Sequence, residues 1–198
     1  MENNYCIRAD YKHRGDELFL DTSTRTDEFQ DKVYAHALEV AKKFDYKLVA
    51  DIGCGSGYKL LKYFKAFSTV GYDLPKTVSQ LNSKYPEREW RVSDFSVTPK
   101  TADLVICADV IEHIFAPNDL LNWIKSMNPK RIIISTPNRD LMCNLLGRPH
   151  AGPPANPHHI REWNFAEFEN YISQFFNVVS HYEVTKEFCQ IIDCKLKP

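Results

Sequence analysis

The chain has 198 residues, 43% of them hydrophobic and 26% charged, the balance of an ordinary soluble globular domain. That length is enough for one domain whose core needs no disulfide or metal staple, and it excludes a largely disordered chain. With 25 basic against 26 acidic residues the formal net charge is −1, which excludes a broad electrostatic grip on nucleic acid as the main theme.

In chain order, Met1 to Tyr5 lack the basic and apolar regions of a signal peptide. No run approaches the roughly 18 continuous apolar residues of a membrane span, so a cytoplasmic location without membrane partners is expected. Residues 1–24 read as an N-terminal arm: the run from Arg8 to Gly15 is polar and aperiodic, either solvated or laid over a site. Phe29, Val33, Ala37, Val40, Ala41 and Phe44 share one helical face. Leu48 to Ile52 is a buried strand, residues 58–66 a helix, Thr69 to Asp73 a second strand, and residues 76–85 a second helix closed by Pro86. Trp90 to Val92, Leu104 to Cys107 and Arg131 to Ser135 are further strands, the last two separated by a helix with Leu120, Leu121, Ile124 and Met127 inward.

Residues 147–157 hold four of the eleven prolines and form a long loop, of the kind that is usually functional or mobile. Asn164 then caps a helix with Glu167 at N3 and Phe168, Ile172 and Phe175 following. Residues 178–184 and 188–196 close the chain as an antiparallel pair. Strands alternating with helices predict an α/β fold with a mostly parallel sheet covered on both faces. The six cysteines, without CxxC pairing, read as idle thiols in a reducing compartment.

Three of the seven glycines fall within Asp51-Ile52-Gly53-Cys54-Gly55-Ser56-Gly57, between a buried strand and a helix. Glycines there let the chain turn sharply and let a ligand approach the backbone. Open α/β sheets bind ligands at this end of their strands. A nicotinamide fingerprint would need glycine or alanine at position 58, which is Tyr58, and no G-x-x-x-x-G-K-[ST] run exists for a phosphate loop. Asp73 ends the second strand 22 residues after Asp51, where a carboxylate can accept ribose hydroxyls.

The spacing D-x-G-x-G-x-G resembles motif I of the class I S-adenosylmethionine (SAM)-dependent methyltransferases. Ala108-Asp109-Val110-Ile111-Glu112-His113 is similar to a motif after the fourth strand in the ubiquinone O-methyltransferase-like group. Ser135-Thr136-Pro137-Asn138-Arg139 and His159-Ile160-Arg161-Glu162-Trp163 resemble that group's S-T-P-N-R and H-x-R-E-[WF] elements. The resemblance covers roughly residues 25–185 and implies a methyltransferase domain over 25–198. The implied fold is a single Rossmann-like doubly wound sheet of seven strands in the order 3-2-1-4-5-7-6, one of them antiparallel. SAM is the implied cofactor, contacted by Asp51, Gly53, Cys54, Gly55, Gly57, Asp73, Leu74, Asp94, Phe95, Ala108 and Asp109. Tyr11, Arg25 or Gln30 would lie near its carboxylate.

On the acceptor side a hydroxyl must lose its proton, so His113, His159 and Glu112 are the candidate catalytic residues. His158 matches by composition alone, residues 147–158 would fold over the site, and His13, His36, His150 and His181 read as surface or structural. Asp109, Glu112 and His113 stand at i, i+3 and i+4, on one face if helical. With His159 they resemble the metal set of the small-RNA 3′-terminal 2′-O-methyltransferases, although the favoured expectation is metal-independent transfer. The expected function is O-methylation of a small-molecule hydroxyl, such as a sugar or glycan precursor. The alternatives are a metal-dependent RNA 2′-O-methyltransferase and a non-catalytic SAM-binding module. The acceptor is expected to be a small molecule rather than nucleic acid, with oligomeric state left open.

Overall fold

A computed structural model describes residues 4–198; Met1 to Asn3, the start of the expected arm, lie outside the described residues. Seven strands form one sheet: β1 (Leu48–Ile52), β2 (Ser68–Asp73), β3 (Glu89–Val92), β4 (Leu104–Ala108), β5 (Arg131–Pro137), β6 (Phe176–Val184) and β7 (Cys189–Leu196). Their order is β3-β2-β1-β4-β5-β7-β6, and β7 alone runs against its neighbours β5 and β6. Six α-helices connect them: α1 (Asp31–Lys43), α2 (Tyr58–Tyr63), α3 (Pro75–Lys84), α4 (Pro117–Ser126), α5 (Arg139–Leu146) and α6 (Phe165–Ile172).

Successive strand residues point to opposite faces, so the central strands feed two cores. Ala50, Ile52, Val105, Ile132 and Ile134 pack with Leu120, Leu121, Ile124, Phe168 and Ile172 of α4 and α6. Val49, Leu104, Ile106 and Ile133 face Val33, Ala37, Leu60, Val78 and Leu81 of α1, α2 and α3. Both faces are therefore apolar, which is why these strands read as continuous hydrophobic runs.

Three local features depart from the sequence expectations. Helix α2 ends at Tyr63 rather than at 66. Helix α5 occupies a stretch where no helix was expected. The arm is not a solvated tail: Ile7 and Tyr11 are buried in the core on the α4 side. The backbone N–H groups of Lys12 and Arg14 donate to the carbonyls of Ala151 and Ile160. No helix among the described residues is long and apolar enough to cross a membrane. All six cysteines are free thiols, and Cys54, Cys107, Cys189 and Cys194 are buried.

Candidate active site

The five parallel strands end together, and their carboxyl tips open onto a cleft of about 540 Å³. At the tip of β1 the chain turns through Gly53, Gly55 and Gly57, all at left-handed φ of 53–69°. A Cβ on Gly53 would come within 2.4 Å of Val110, and one on Gly55 within 2.7 Å of Thr22. Only glycine fits this turn without strain. The N–H groups of Gly53 and Cys54 donate back to the Tyr72 carbonyl, which ties the turn to β2. Asp73 at the β2 tip accepts from the Gly55 N–H at 2.8 Å and from the Leu74 N–H at 2.8 Å.

Of the residues expected at a cofactor, Gly53, Cys54, Gly55, Asp73, Leu74, Phe95, Ala108 and Asp109 line this cleft. Asp51, Gly57 and Asp94 are not among its walls. Asp51 is buried beneath the turn, and the Tyr34 hydroxyl donates to its carboxyl at 2.9 Å. Burial pushes that carboxyl up to about 7, against the lowering effect of the Tyr34 hydrogen bond. Gly57 caps α2, and a side chain there would strike Trp90. Asp94 is exposed in the adjoining groove, where its Oδ1 accepts from the Ser96 hydroxyl and N–H. Arg25 and Gln30 line the cleft, whereas Tyr11 is packed under the Arg139 guanidinium at 4.4 Å.

The segment after β4 is not an α-helix. Asp109 takes a left-handed φ of 52°, and only Ile111–His113 form a short 3₁₀ turn. The shared face expected for Asp109, Glu112 and His113 is therefore broken. The Asp109 carboxylate turns to the Gln30 amide at 3.0 Å and the Ser135 hydroxyl at 2.6 Å. Glu112, His113 and His159 do converge: one ligand atom from each lies within 4.8 Å of the others.

Glu112 is fully buried, and its Oε2 accepts from the Thr136 hydroxyl at 3.1 Å. Its Oε1 has no hydrogen-bond partner and stands 3.9 Å from His113 Nε2. Burial, with Asp109 nearby, holds this carboxyl well above the usual carboxylate range. The His113 and His159 ring centroids are 4.8 Å apart. His113 Nδ1–H donates to the His158 carbonyl at 2.6 Å, so neutral His113 presents a lone pair on Nε2. Burial and the neighbouring His159 push His113 down to about 4, which keeps it neutral at physiological pH.

The two later motifs brace this floor. In Ser135 to Arg139, Ser135 holds Asp109, Thr136 holds Glu112, and Asn138 caps α5. Arg139 forms a buried ion pair with Glu167 at 2.6 Å. In His159 to Trp163, Ile160 N–H donates to the Glu112 carbonyl, and Arg161 clasps the carbonyls of Ile114 and Phe115. Residues that the sequence did not single out also reach the cleft: Asn156, Glu187, Phe188, Met142 and Leu145. His158 contributes its carbonyl rather than its ring, and the other histidines sit elsewhere. His36 bonds Asp193, His150 bonds Asn144, His181 bonds Glu169, and His13 bonds the neighbouring Arg14 carbonyl.

Comparison with known proteins agrees with this geometry. The sequence pattern of a family described as a methyltransferase domain matches residues 25–188. A mitochondrial ubiquinone biosynthesis O-methyltransferase of Schizosaccharomyces pombe is 29% identical over 142 residues, 65% of this chain and 50% of that protein. A small RNA 2′-O-methyltransferase of Gallus gallus is 27% identical over 180 residues, 78% of this chain and 46% of that protein. The chain thus spans about half the length of these curated relatives. The crystal structure of a magnesium protoporphyrin IX methyltransferase from Synechocystis with bound S-adenosylhomocysteine superposes with a TM-score of 0.66 at 18% identity, covering 85% of this chain and 83% of that one. With its seven strands, its glycine turn and its family pattern, the chain belongs to the SAM-dependent methyltransferases of Rossmann-like, class I fold.

Proposed function

We propose that the protein transfers the methyl group of SAM to a hydroxyl of a small, uncharged acceptor. The observation that carries this reading is the neutral imidazole of His113 at the cleft floor: its Nδ1–H is taken by the His158 carbonyl, which leaves the Nε2 lone pair without a partner, beside Glu112 and His159. A lone pair without a donor is matched by a ligand that brings a proton, and a hydroxyl does.

SAM supplies an activated methyl on a sulfonium. The glycine turn, whose backbone leaves room for a close ligand, and Asp73, whose oxygens keep free lone pairs, fit its adenosyl part. Its reaction is an in-line displacement, so holding donor and acceptor in line is the main requirement, worth about 7–11 kcal/mol in favourable cases. An imidazole Nε2 that accepts the hydroxyl proton adds typically about 10²–10⁴-fold.

The walls favour an uncharged acceptor. Arg25 and Lys59 are the arginine and lysine of the walls, and Lys59 already lies 3.5 Å from Asp27, so little positive charge is left free in the cleft. Walls with so little free positive charge offer phosphate oxygens little attraction. Phe19, Leu20, Phe29 and Leu145 add exposed apolar surface to the walls.

A second reading rests on the same cluster. Two imidazole nitrogens and a buried, unpartnered carboxylate oxygen suit a divalent cation. Glu112, His113 and His159 would hold it, and it would supply positive charge beside the acceptor oxygen. That reading extends to a ribose 2′-hydroxyl of RNA.

The test is a labelling assay with methyl-tritiated SAM against neutral sugars, glycosides, phenols and short single-stranded RNA. The expected result is label in an ether-linked methyl of a small acceptor, retained in EDTA. Label only on RNA, with loss of turnover in EDTA, refutes the first reading and establishes the second.

A further inference from the structure

We infer that Glu162 is the positioning residue of the acceptor site: its carboxylate fixes the ring orientation and tautomer of His159, so that His159 Nε2, beside Asn156 at the cleft, carries a lone pair rather than a proton. This rests on the reading that His159 belongs to the acceptor side.

The contact is short and shielded. His159 Nδ1 lies 2.6 Å from Glu162 Oε1, and the two residues are only 7% and 2% exposed. A carboxylate has only lone pairs to offer, so Nδ1 must carry the proton and donate. The second ring nitrogen gives an independent check. Asn156 Oδ1 accepts from the His158 N–H at 3.0 Å, which turns its amide nitrogen outward. That nitrogen stands 2.9 Å from His159 Nε2 and donates to it. Both partners therefore demand the same tautomer, with hydrogen on Nδ1 and a lone pair on Nε2.

The Glu162 backbone is held as firmly as its side chain. Its N–H donates to the Tyr11 hydroxyl at 3.3 Å, and its carbonyl accepts from Arg139 at 3.4 Å. Arg139 is committed to Glu167, so the Glu162 carboxylate has His159 as its partner rather than that guanidinium. His113 is oriented in parallel fashion, with its Nδ1–H on the His158 carbonyl. Residues 156–162 thus orient both imidazoles so that each keeps its lone pair on Nε2, unpaired in His113 and held by the Asn156 amide in His159, and Glu162 supplies a charged contact to the arrangement. Outer partners of this kind set ligand orientation, and their loss costs about 10–100-fold in activity or affinity.

The test reads the tautomer directly. Long-range proton–nitrogen correlation on imidazole-labelled protein, with His159 assigned through His159→Gln, should show a single Nδ1–H form. A wild-type spectrum showing the Nε2–H form overturns the proposal, whatever the variants do. Glu162→Met keeps the side-chain length and removes the oxygens; it should bring the Nε2–H form into the spectrum. A Met variant that retains the pure Nδ1–H pattern overturns it. With an acceptor in hand, the same variant should lose roughly 10–100-fold in kcat while its calorimetric affinity for SAM stays unchanged. Unchanged kcat, or SAM affinity falling as far as turnover, also overturns it. The spectrum requires no methyl transfer, so it separates failure of this proposal from failure of the hydroxyl reading.

Discussion

Asp73 has two structural partners and a third, expected one. Its two oxygens accept the N–H groups of Gly55 and Leu74, which hold the glycine turn against the β2 tip. Each oxygen keeps a second lone pair for a ribose hydroxyl. Hydrogen bonds to a charged group are worth about 1.5–3 kcal/mol each. Asp73→Ala should therefore weaken SAM binding by roughly 10–100-fold, since about 1.4 kcal/mol is tenfold in Kd. Isothermal calorimetry measures it, and an unchanged Kd refutes the assignment. The place of Asp73 at the β2 tip on the cleft wall was legible in the sequence, because a strand end and an acidic residue there are both local signals. Asp51, in the same motif, lies beneath the turn rather than on the cleft wall, which spacing does not reveal because it carries no depth: Tyr34, 17 residues earlier, reaches across to it. Glu112 Oε1, His113 and His159 were legible as a group, but Asp109 was not separable from them. The i, i+3, i+4 pattern holds only if the backbone is helical, and a left-handed residue at 109 breaks it.

At the scale of elements, α6 was the most legible helix and α5 the least. Asn164 accepts from the Glu167 N–H while Glu167 accepts from the Asn164 N–H, a reciprocal cap written into four residues. The helix carries Phe168 and Ile172 into the core. Replacing such a cap by alanine costs about 1 kcal/mol. Asn164→Ala should lower Tm by roughly 2–4 °C for a chain of this size, readable by calorimetric melting. An unchanged Tm would show that tertiary packing alone holds the helix start. Helix α5 carries equivalent signals, an Asn138 cap at its start and Gly147 at φ 60° just past its end. It was passed over because its apolar residues do not form a buried stripe. Leu145 and Leu146 are exposed, Met142 faces the cleft, and Arg139 is its one buried residue. Hydrophobic period detects helices that pack on a core, and α5 borders the cleft instead. The arm escaped for a related reason: Ile7 and Tyr11 are isolated anchors in a polar run, with no period to detect.

Across the whole molecule, carboxyl groups gather beneath the strand tips, and this makes stability depend on pH in a direction opposite to that of a surface salt bridge. Burial raises Asp51, Asp109 and Glu112 above the usual carboxylate range. For Asp51, raised to about 7, the folded state binds its proton more tightly than the unfolded chain, whose value is about 3.9. Its contribution is fully present below about pH 4 and is lost as pH rises toward about 7. His113, lowered to about 4, has the opposite sign: the unfolded chain takes its proton more readily, so stability falls as pH drops from about 6.5. The two oppose each other in wild type over pH 4–6.5, and a bare stability profile conceals both. Asp51→Asn separates them, because asparagine keeps an acceptor for the Tyr34 hydroxyl and cannot ionise, while His113 is common to both proteins and cancels in the difference. The stability penalty of Asp51→Asn should therefore be largest near pH 4.5 and shrink by pH 7.5, measured by urea unfolding of SAM-free protein at both values. A penalty that stays constant or grows with pH would mean that Asp51 is ionised in the folded state, and that Tyr34 and the turn stabilise its charge more than burial opposes it.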